Sequence, residues 1–119
     1  MVLVDTSVWV SHFKDGNPQL EALLMKGRVV CHPFIIGELA CGNLKNRKEI
    51  LSLLQALPMA TTADHKEVLY FVEQHQLIGI GLGYVDVHLL ASARLSRIPF
   101  WTRDKKLMEA AVKLNASYK

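Results

Sequence analysis

Short apolar runs alternate along this chain with longer segments of helical periodicity. The continuous apolar run Val2–Val4 is typical of a strand that is buried on both faces of a parallel sheet. Arg28–His32 and Pro99–Thr102 predict two more strands, and Met59–Thr61 predicts a very short one. Because no β-hairpin signal joins these runs, the strands are predicted to lie parallel to one another.

Apolar residues between the predicted strands recur at the three- and four-residue spacing of helices. We predict seven helices. The first is capped by Thr6-Ser7, and the next two begin at Pro18 and Pro33. The other four span Lys45–Leu57, Asp64–His75, Tyr84–Ser96 and Asp104–Leu114. Asp64 and Glu67 have the spacing of a capping box. Leu77–Gly83 is predicted to be a glycine-rich loop. The apolar faces of the helices supply the predicted core, which includes Phe34, Leu44 and Leu95.

Strands that alternate with helices predict an α/β fold, in which a small parallel sheet is sandwiched between helices in three layers. We expect residues 1–119 to form a single domain, since a typical domain holds about 100–150 residues. Half of the residues are hydrophobic, which excludes an intrinsically disordered chain. Two cysteines are too few for a disulfide scaffold, and Cys31 and Cys41, in apolar surroundings, are expected to stay reduced.

We expect neither a membrane-spanning helix nor a secretory signal in this sequence. Its apolar stretches are shorter than the roughly 18 residues that a spanning helix needs. The N-terminus has no basic region and no small-residue cleavage site. These features are typical of a cytoplasmic protein. The net charge of +3 is only a weak indication of an anionic partner.

Four of the eleven acidic residues stand in apolar sequence surroundings: Asp5, Glu38, Asp86 and Asp104. Burying a carboxylate without a partner costs several kcal/mol, so four such residues require an explanation. Asp5 and Asp104 follow predicted strands, and Asp86 stands at a helix start. Because ligands bind beyond the carboxyl ends of parallel strands, we expect the four side chains to converge on one pocket at that edge.

Converging carboxylates repel one another, and a divalent cation removes that repulsion. A set of oxygen ligands without histidine or cysteine suits Mg²⁺ or Mn²⁺, which act on phosphate substrates. The hydroxyls of Thr6, Ser7 and Thr102 can orient the carboxylates, or they can serve only as helix caps. The acids also have ordinary explanations: Asp5 and Asp104 as N-caps, and Glu38 as a core acid paired with an arginine.

The segments that carry these acids resemble, in the same order, those of PIN-domain ribonucleases. They are Leu3-Val4-Asp5-Thr6-Ser7, Ile36-Gly37-Glu38-Leu39, Asp86-Val87-His88-Leu89-Leu90-Ala91-Ser92-Ala93 and Trp101-Thr102-Arg103-Asp104-Lys105. Within that family the chain is most similar to small VapC-type toxins of toxin–antitoxin pairs, over nearly its whole length. The family's final strand is expected to be short or absent here, and the role of the Gly79–Gly83 run is not predicted.

The resemblance implies an endoribonuclease that depends on Mg²⁺ or Mn²⁺ and has catalytic, metal-binding residues at Asp5, Glu38, Asp86 and Asp104. It also implies hydroxyl positions at Ser7 and Thr102, a homodimer, and an antitoxin that docks over Trp9–Leu24. In such a site the metal lowers the pKa of the attacking water and neutralises charge on the phosphate. Because water attacks, the products are expected to carry 5′-phosphate and 3′-hydroxyl ends.

The RNA substrate needs basic residues to approach an acidic pocket. Arg97, Arg103 and Lys105 are the candidates near Asp104, and Lys45–Lys48 is a second basic segment. Each of these residues can also belong to an ordinary solvated helix face. Three aromatic residues have the chemistry to stack bases, but we expect them to pack in the core: Trp9, Phe13 and Trp101.

Two other functions are compatible with parts of this pattern. A catalytically idle module that binds RNA or protein would keep the fold and lose the acids, whereas all four acids are present. An aspartyl phosphatase would use Asp5 as its nucleophile and would place a general acid two residues later, where this chain has Ser7.

Overall fold

The computed structural model describes residues Met1–Lys119 and contains three strands and seven helices. The strands are β1 (Val2–Val4), β2 (Val29–Val30) and β3 (Phe100–Trp101). The helices are α1 (Thr6–Asp15), α2 (Pro18–Met25), α3 (Pro33–Ala40), α4 (Arg47–Gln55), α5 (His65–Gln74), α6 (Tyr84–Ser96) and α7 (Lys105–Lys113). None of these helices has the length and apolar character needed to cross a bilayer.

The three strands form a parallel sheet in the order β2-β1-β3, which confirms the predicted α/β fold. Leu3 is paired with Val30 on one side and with Phe100 on the other. Single bridges extend the sheet at both edges, from Cys31 to Met59 and from Phe100 to Ser117. The strand predicted at Met59–Thr61 is thus one bridge, and the C-terminal segment also pairs only briefly.

The central strand β1 is enclosed on both faces. Leu3 and Val4 are fully buried, as are Leu89 and Leu90 on α6. Burying one such side chain contributes about 1.5–3 kcal/mol to folding. Leu89, Leu90 and Ala93 of helix α6 belong to the same hydrophobic core as the residues of β1.

Two residues predicted for the core are exposed, and a third lies at its margin. Phe34 is 37% exposed because the buried face of α3 carries its neighbour Ile35 instead. Leu95, at the C-terminal end of α6, is 46% exposed. Leu44 lies beyond the end of α3, although it still packs partly against the core. Cys41 is exposed, unlike its expected apolar setting.

Helix starts follow the local chemistry in most cases. The Asn17 side chain accepts the N–H of Leu20 at 3.0 Å. Asp64 and Glu67 form both bonds of the predicted capping box, at 2.8 and 3.0 Å. Three helices, α1, α4 and α6, begin without a hydrogen bond from the side chain of the N-cap residue. The prediction that Thr6-Ser7 caps α1 is therefore wrong, because both residues lie inside its first turn and their hydroxyls bond to carboxylates.

Candidate active site

Two hydroxyl groups hold the carboxylate of Asp5 at the end of β1. Ser7 Oγ and Thr102 Oγ1 both donate to Asp5 Oδ2, at 2.7 and 2.8 Å. Ser7 in turn accepts the backbone N–H of Arg103 at 2.9 Å, and Thr102 accepts that of Asp104 at 3.1 Å. Each hydroxyl has one proton to donate and oxygen lone pairs to accept with. The network therefore ties the end of β1 to the turn after β3.

Asp5 occupies the N-cap position of α1, but its side chain makes no capping hydrogen bond. The residue is only 6% exposed. Its second oxygen, Oδ1, has no hydrogen-bond partner in the protein and is not a fully buried atom, so it reaches solvent. The alternative that Asp5 is simply a helix cap is therefore wrong. One carboxylate oxygen is fixed, and the other is free to accept a ligand.

Glu38 is connected to this site through Thr6. The Thr6 hydroxyl donates to Glu38 Oε1 at 2.6 Å and so links the first turn of α1 to α3. The Glu38 side chain is exposed, because the buried face of α3 carries Ile35 and Leu39. The expectation of a buried Glu38 is therefore wrong. Residues that are adjacent in the sequence of a helix lie on different faces, so apolar sequence neighbours do not make a side chain buried.

Asp86 lies in the first turn of α6 and is half-buried. Its Oδ2 accepts the backbone N–H of Gly83 at 3.1 Å. Burial raises the pKa of Asp86 above its ordinary value; the Gly83 hydrogen bond opposes this shift, and the charges of Asp5 and Asp104 add to it. The three aspartates are thus near enough to influence one another, but the acids do not form the compact group of ligands that was expected.

Asp104 is an N-cap, as the alternative interpretation of this residue predicted. Its Oδ1 caps α7 by accepting the N–H of Leu107 at 2.9 Å. The residue is exposed, contrary to its expected apolar setting. Its backbone N–H is also bound by Thr102. Capping therefore fixes the carboxylate of Asp104 beside the Asp5 network and does not remove it from the site.

The chemistry of these donors fits a hard divalent cation. Asp5, Asp86 and Asp104 offer oxygen ligands only. No basic side chain contributes to the shift in the pKa of Asp86. The structure holds no group of three carboxylate, imidazole or thiol side chains arranged to bind a metal ion. Mg²⁺ usually keeps several waters and is bound through one or two carboxylates, so a closed three-residue cage is not required.

The three basic candidates have different surroundings. Arg103 bonds through its guanidinium to Ser11, and Lys105 is an exposed residue at the start of α7, next to Asp104. Arg97 follows the last residue of α6, at φ 55°. The 13 residues of α6 span about 20 Å, so Arg97 lies at the opposite end of this helix from Asp86. The expected position of Arg97 beside the acids is wrong.

The glycine-rich loop before α6 passes close to α7. Gly81 has φ 86°, and a Cβ placed there would stand 2.7 Å from Nζ of Lys106. The positive φ favours glycine here, whereas the flexible end of the Lys106 side chain could move away from a Cβ. Lys106, two residues after Asp104, is held against the loop that leads to Asp86. Sequence patterns alone did not predict this contact.

A cleft of about 740 Å³ opens from the Thr6–Glu38 pair toward α4. Phe13 and Ile50 line it and also line an adjoining apolar cleft of about 310 Å³. The second cleft lies between α1, α2 and α4. Its remaining walls are Trp9, His12, Leu24, Leu53, Leu54 and Leu57. The apolar cleft thus adjoins a larger, more polar cleft that reaches Glu38.

The comparisons with known proteins agree with this arrangement. The family model described as PIN domain matches residues 2–113. Ribonuclease VapC32 of Mycobacterium tuberculosis is 44% identical over 111 residues, covering 92% of this chain and 90% of that protein.

Two solved structures share the fold. PAE2754 from Pyrobaculum aerophilum superposes with a TM-score of 0.68 at 15% identity, covering 98% of this chain and 87% of that one. FitAcB from Neisseria gonorrhoeae has a TM-score of 0.59 at 19% identity, covering 94% of each chain.

Proposed function

The chain belongs to the PIN-domain family, and from this premise we propose that it is a VapC-type endoribonuclease, the toxin of a toxin–antitoxin pair. The 44% identity to a protein named ribonuclease supports the activity. The observation that carries the proposal is the environment of the Asp5 carboxylate. The carboxylate is buried and makes no helix cap, and two hydroxyls hold one of its oxygens while the other reaches solvent.

In the proposed reaction, water attacks a phosphodiester of RNA and leaves a 5′-phosphate and a 3′-hydroxyl. Glu38, which is exposed and oriented by Thr6, would accept the proton of the attacking water, unless it serves as a further ligand of the metal. Ser7 and Thr102 keep Asp5 in a fixed orientation, so that its free oxygen faces the substrate side. Orientation of this kind, rather than proton transfer, is the role of the two hydroxyls.

Mg²⁺ or Mn²⁺ is the cofactor that suits this site. Asp5, Asp86 and Asp104 would hold the ion, with Glu38 as a further ligand or as the base. A bound divalent ion supplies neutralisation of phosphate charge and a lower pKa for the attacking water. It would also offset the repulsion of Asp86 by Asp5 and Asp104, which adds to the effect of burial in raising the pKa of Asp86.

The RNA is proposed to enter along the side of α7. Lys105 and Arg103 lie in the segment that begins α7 beside Asp104, and their charges favour phosphate. Lys45 lines the cleft that begins at the Thr6–Glu38 pair, which gives a second basic approach.

The proposed antitoxin occupies the two adjoining clefts. An apolar helix would fill the groove around Trp9 and Leu53, and the following segment would reach Glu38 through the larger cleft. A basic side chain at that point would neutralise the carboxylates and block the site. A cytoplasmic location and a homodimer complete the proposal.

The aspartyl phosphatase alternative is disfavoured by the surroundings of Asp5. The residue two positions later is Ser7, whose hydroxyl donates its proton to Asp5 instead of protonating a leaving group. A catalytically idle module would not need this arrangement.

The decisive experiment incubates the protein with total RNA and Mg²⁺ or Mn²⁺ and maps the cut ends. We expect internal cuts with 5′-phosphate and 3′-hydroxyl ends that disappear on chelation and in Asp5→Asn. An Asp15→Asn variant is a matched control, because Asp15 is an exposed residue at the end of α1. Intact RNA under all conditions would reject the proposed activity.

A further inference from the structure

Three aromatic rings form a trough between the starts of α3 and α6. The ring of His88 is buried and lies between Phe34 and Tyr84, with ring centroids at 4.8 and 4.5 Å. The outer rings stand at 68° and 84° to the imidazole. Phe34 is 37% exposed and Tyr84 is 48% exposed. This aromatic trough, Phe34–His88–Tyr84, therefore has a buried floor and two accessible walls.

The aromatic trough adjoins the candidate active site on both sides. Phe34 is four residues before Glu38 on α3, and residues at this spacing are neighbours on a helix surface. Tyr84 follows Gly83, whose N–H is bound to the carboxylate of Asp86. A nucleotide with its phosphate at the acids would thus have its base, or the next base, within reach of these rings.

Polar contacts hold the exposed rings in place before any ligand arrives. The Tyr84 hydroxyl lies 2.8 Å from Nδ1 of His65. The N–H of Phe34 donates to Nδ1 of His32 at 2.9 Å, and the two rings lie 5.2 Å apart. A wall that is already ordered loses little conformational entropy when a ligand binds.

The floor of the trough carries an unsatisfied polar atom. Nδ1 of His88 is buried and has no hydrogen-bond partner within the protein. Most buried polar atoms in native proteins are paired, so this atom has hydrogen-bonding capacity that the protein itself does not use. Exposed aromatic rings beside an RNA-cleaving site have a direct use, because every base has a face that can stack on them.

We propose that the aromatic trough binds an unpaired base of the RNA substrate by stacking, next to the phosphodiester that is cleaved. The inference rests on the proposed ribonuclease function and adds a base-binding subsite to it. Proteins that recognise single-stranded RNA turn unpaired bases out onto aromatic side chains in this way. The enzyme would accordingly prefer loops and single strands to continuous duplex.

The test compares two probes on the cleavage-inactive Asp5→Asn background. One is a fluorescent adenylate oligomer of about 12 nucleotides, within the usual site size for single strands. The other is the same sugar–phosphate backbone without bases. We expect Tyr84→Leu to weaken binding of the adenylate oligomer about tenfold, as loss of one stacking contact does, and to leave binding of the base-free backbone unchanged. Tyr84→Phe keeps the ring but loses the contact with His65, and it should bind the adenylate oligomer more tightly than Tyr84→Leu does.

Tyr70→Leu is the matched control, since Tyr70 is 68% exposed but lies on α5 outside the trough. Phe34→Leu gives a second test if Tyr84→Leu fails to fold. Equal weakening for both probes, or no weakening with either variant, would overturn the trough proposal. That outcome is separable from failure of the proposed function, which is decided by whether the wild-type protein cleaves RNA.

Discussion

Thr102 donates its hydroxyl proton to Oδ2 of Asp5 at 2.8 Å, although the two residues are 97 positions apart in the sequence. The contact follows from strand pairing, because Val4 is opposite Trp101 in the parallel sheet. The next residue on each strand is then brought to the same edge. Thr102 also accepts the N–H of Asp104, so one hydroxyl positions two of the proposed catalytic acids.

Removing the Thr102 hydroxyl should therefore impair catalysis more than folding. Thr102→Val keeps the shape of the buried side chain but removes both hydrogen bonds. We expect the cleavage rate to fall about 10- to 100-fold, as is common when a group that orients a metal ligand is lost. Thr102→Ser retains the hydroxyl and should retain most of the activity. Single-turnover RNA cleavage at several Mn²⁺ concentrations measures the effect, and equal rates in the Val and Ser variants would contradict it.

Neutralising Asp86 should abolish cleavage and stabilise the metal-free protein. Its pKa is raised, so the charged form is the costly one in the folded state. Asp86→Asn removes that cost and keeps an oxygen for the N–H of Gly83. Near neutral pH, where Asp86 is charged, we expect the melting temperature to rise by about 2–4 °C.

Calorimetry in the presence of a chelator measures this change. Glu73→Gln, an exposed change on α5, serves as the control. A lower melting temperature in Asp86→Asn would show that the carboxylate is structural.

Local patterns predicted the elements of this fold well. The bounds of α6 agree with its apolar spacing, and the Asp64–Glu67 capping box forms as expected. Burial of β1 also follows from its continuous apolar run. These features depend on residues that are close together in the sequence, so local sequence patterns are enough to predict them.

The site could be predicted only in part, because some of its contacts join residues that are distant in sequence. The hydroxyls of Ser7 and Thr102 were expected either to orient carboxylates or to cap helices. Ser7 bonds to Asp5 two residues away, whereas the bond from Thr102 requires the pairing of β1 with β3. Arg97 was misplaced because nearness to Asp104 in sequence ignores the length of α6. Tyr84 was overlooked because its exposure follows from the packing of α6.

The salt dependence of RNA binding should distinguish the basic residues. Each phosphate contact on a single strand contributes about −0.7 to the slope of log K against log salt. Lys105→Ala, on the Asp5→Asn background, should flatten the slope by about one contact and weaken all RNA sequences alike. Arg97→Ala should leave the slope unchanged, since Arg97 lies at the far end of α6. A flatter slope in Arg97→Ala, with an unchanged slope in Lys105→Ala, would place the RNA path on the opposite edge of the sheet.

Disruption of the apolar cleft should release the toxin from its proposed antitoxin. Leu53 is 63% exposed and lines the cleft between α1, α2 and α4. Leu53→Glu introduces a charge that an apolar helix cannot pair, so we expect at least a tenfold loss of antitoxin affinity with unchanged RNA cleavage. Leu69→Glu is the matched control, because Leu69 is 51% exposed on α5.

A growth assay gives the same comparison in cells. Co-expressed antitoxin should restore growth to cells that express the wild type or Leu69→Glu, but not Leu53→Glu. Restored growth with all three proteins would place the antitoxin on another surface.

Stability should fall as the pH decreases from 6.5 toward 4, because His32 must stay neutral in the folded protein. Its Nδ1 accepts the N–H of Phe34, so the ring proton is on Nε2 and is donated to Ser92 at 3.1 Å. Burial, with a smaller effect from the charge of His88, lowers the pKa of His32 from 6.5 to about 4. Between these values the unfolded chain binds a proton that the folded chain does not, which favours unfolding by up to roughly 3 kcal/mol.

The contribution of His32 can be separated from those of other groups by substitution. His88 and His75 also have lowered pKa values and act in the same direction, whereas the raised pKa of Asp86 acts in the opposite one. His32→Asn keeps a side-chain acceptor for the N–H of Phe34 but does not titrate. We expect urea unfolding between pH 4 and 7 to show a shallower loss of stability in His32→Asn than in the wild type. Parallel profiles would mean that the pKa of His32 is the same in the folded and the unfolded chain, and that another residue causes the acid sensitivity.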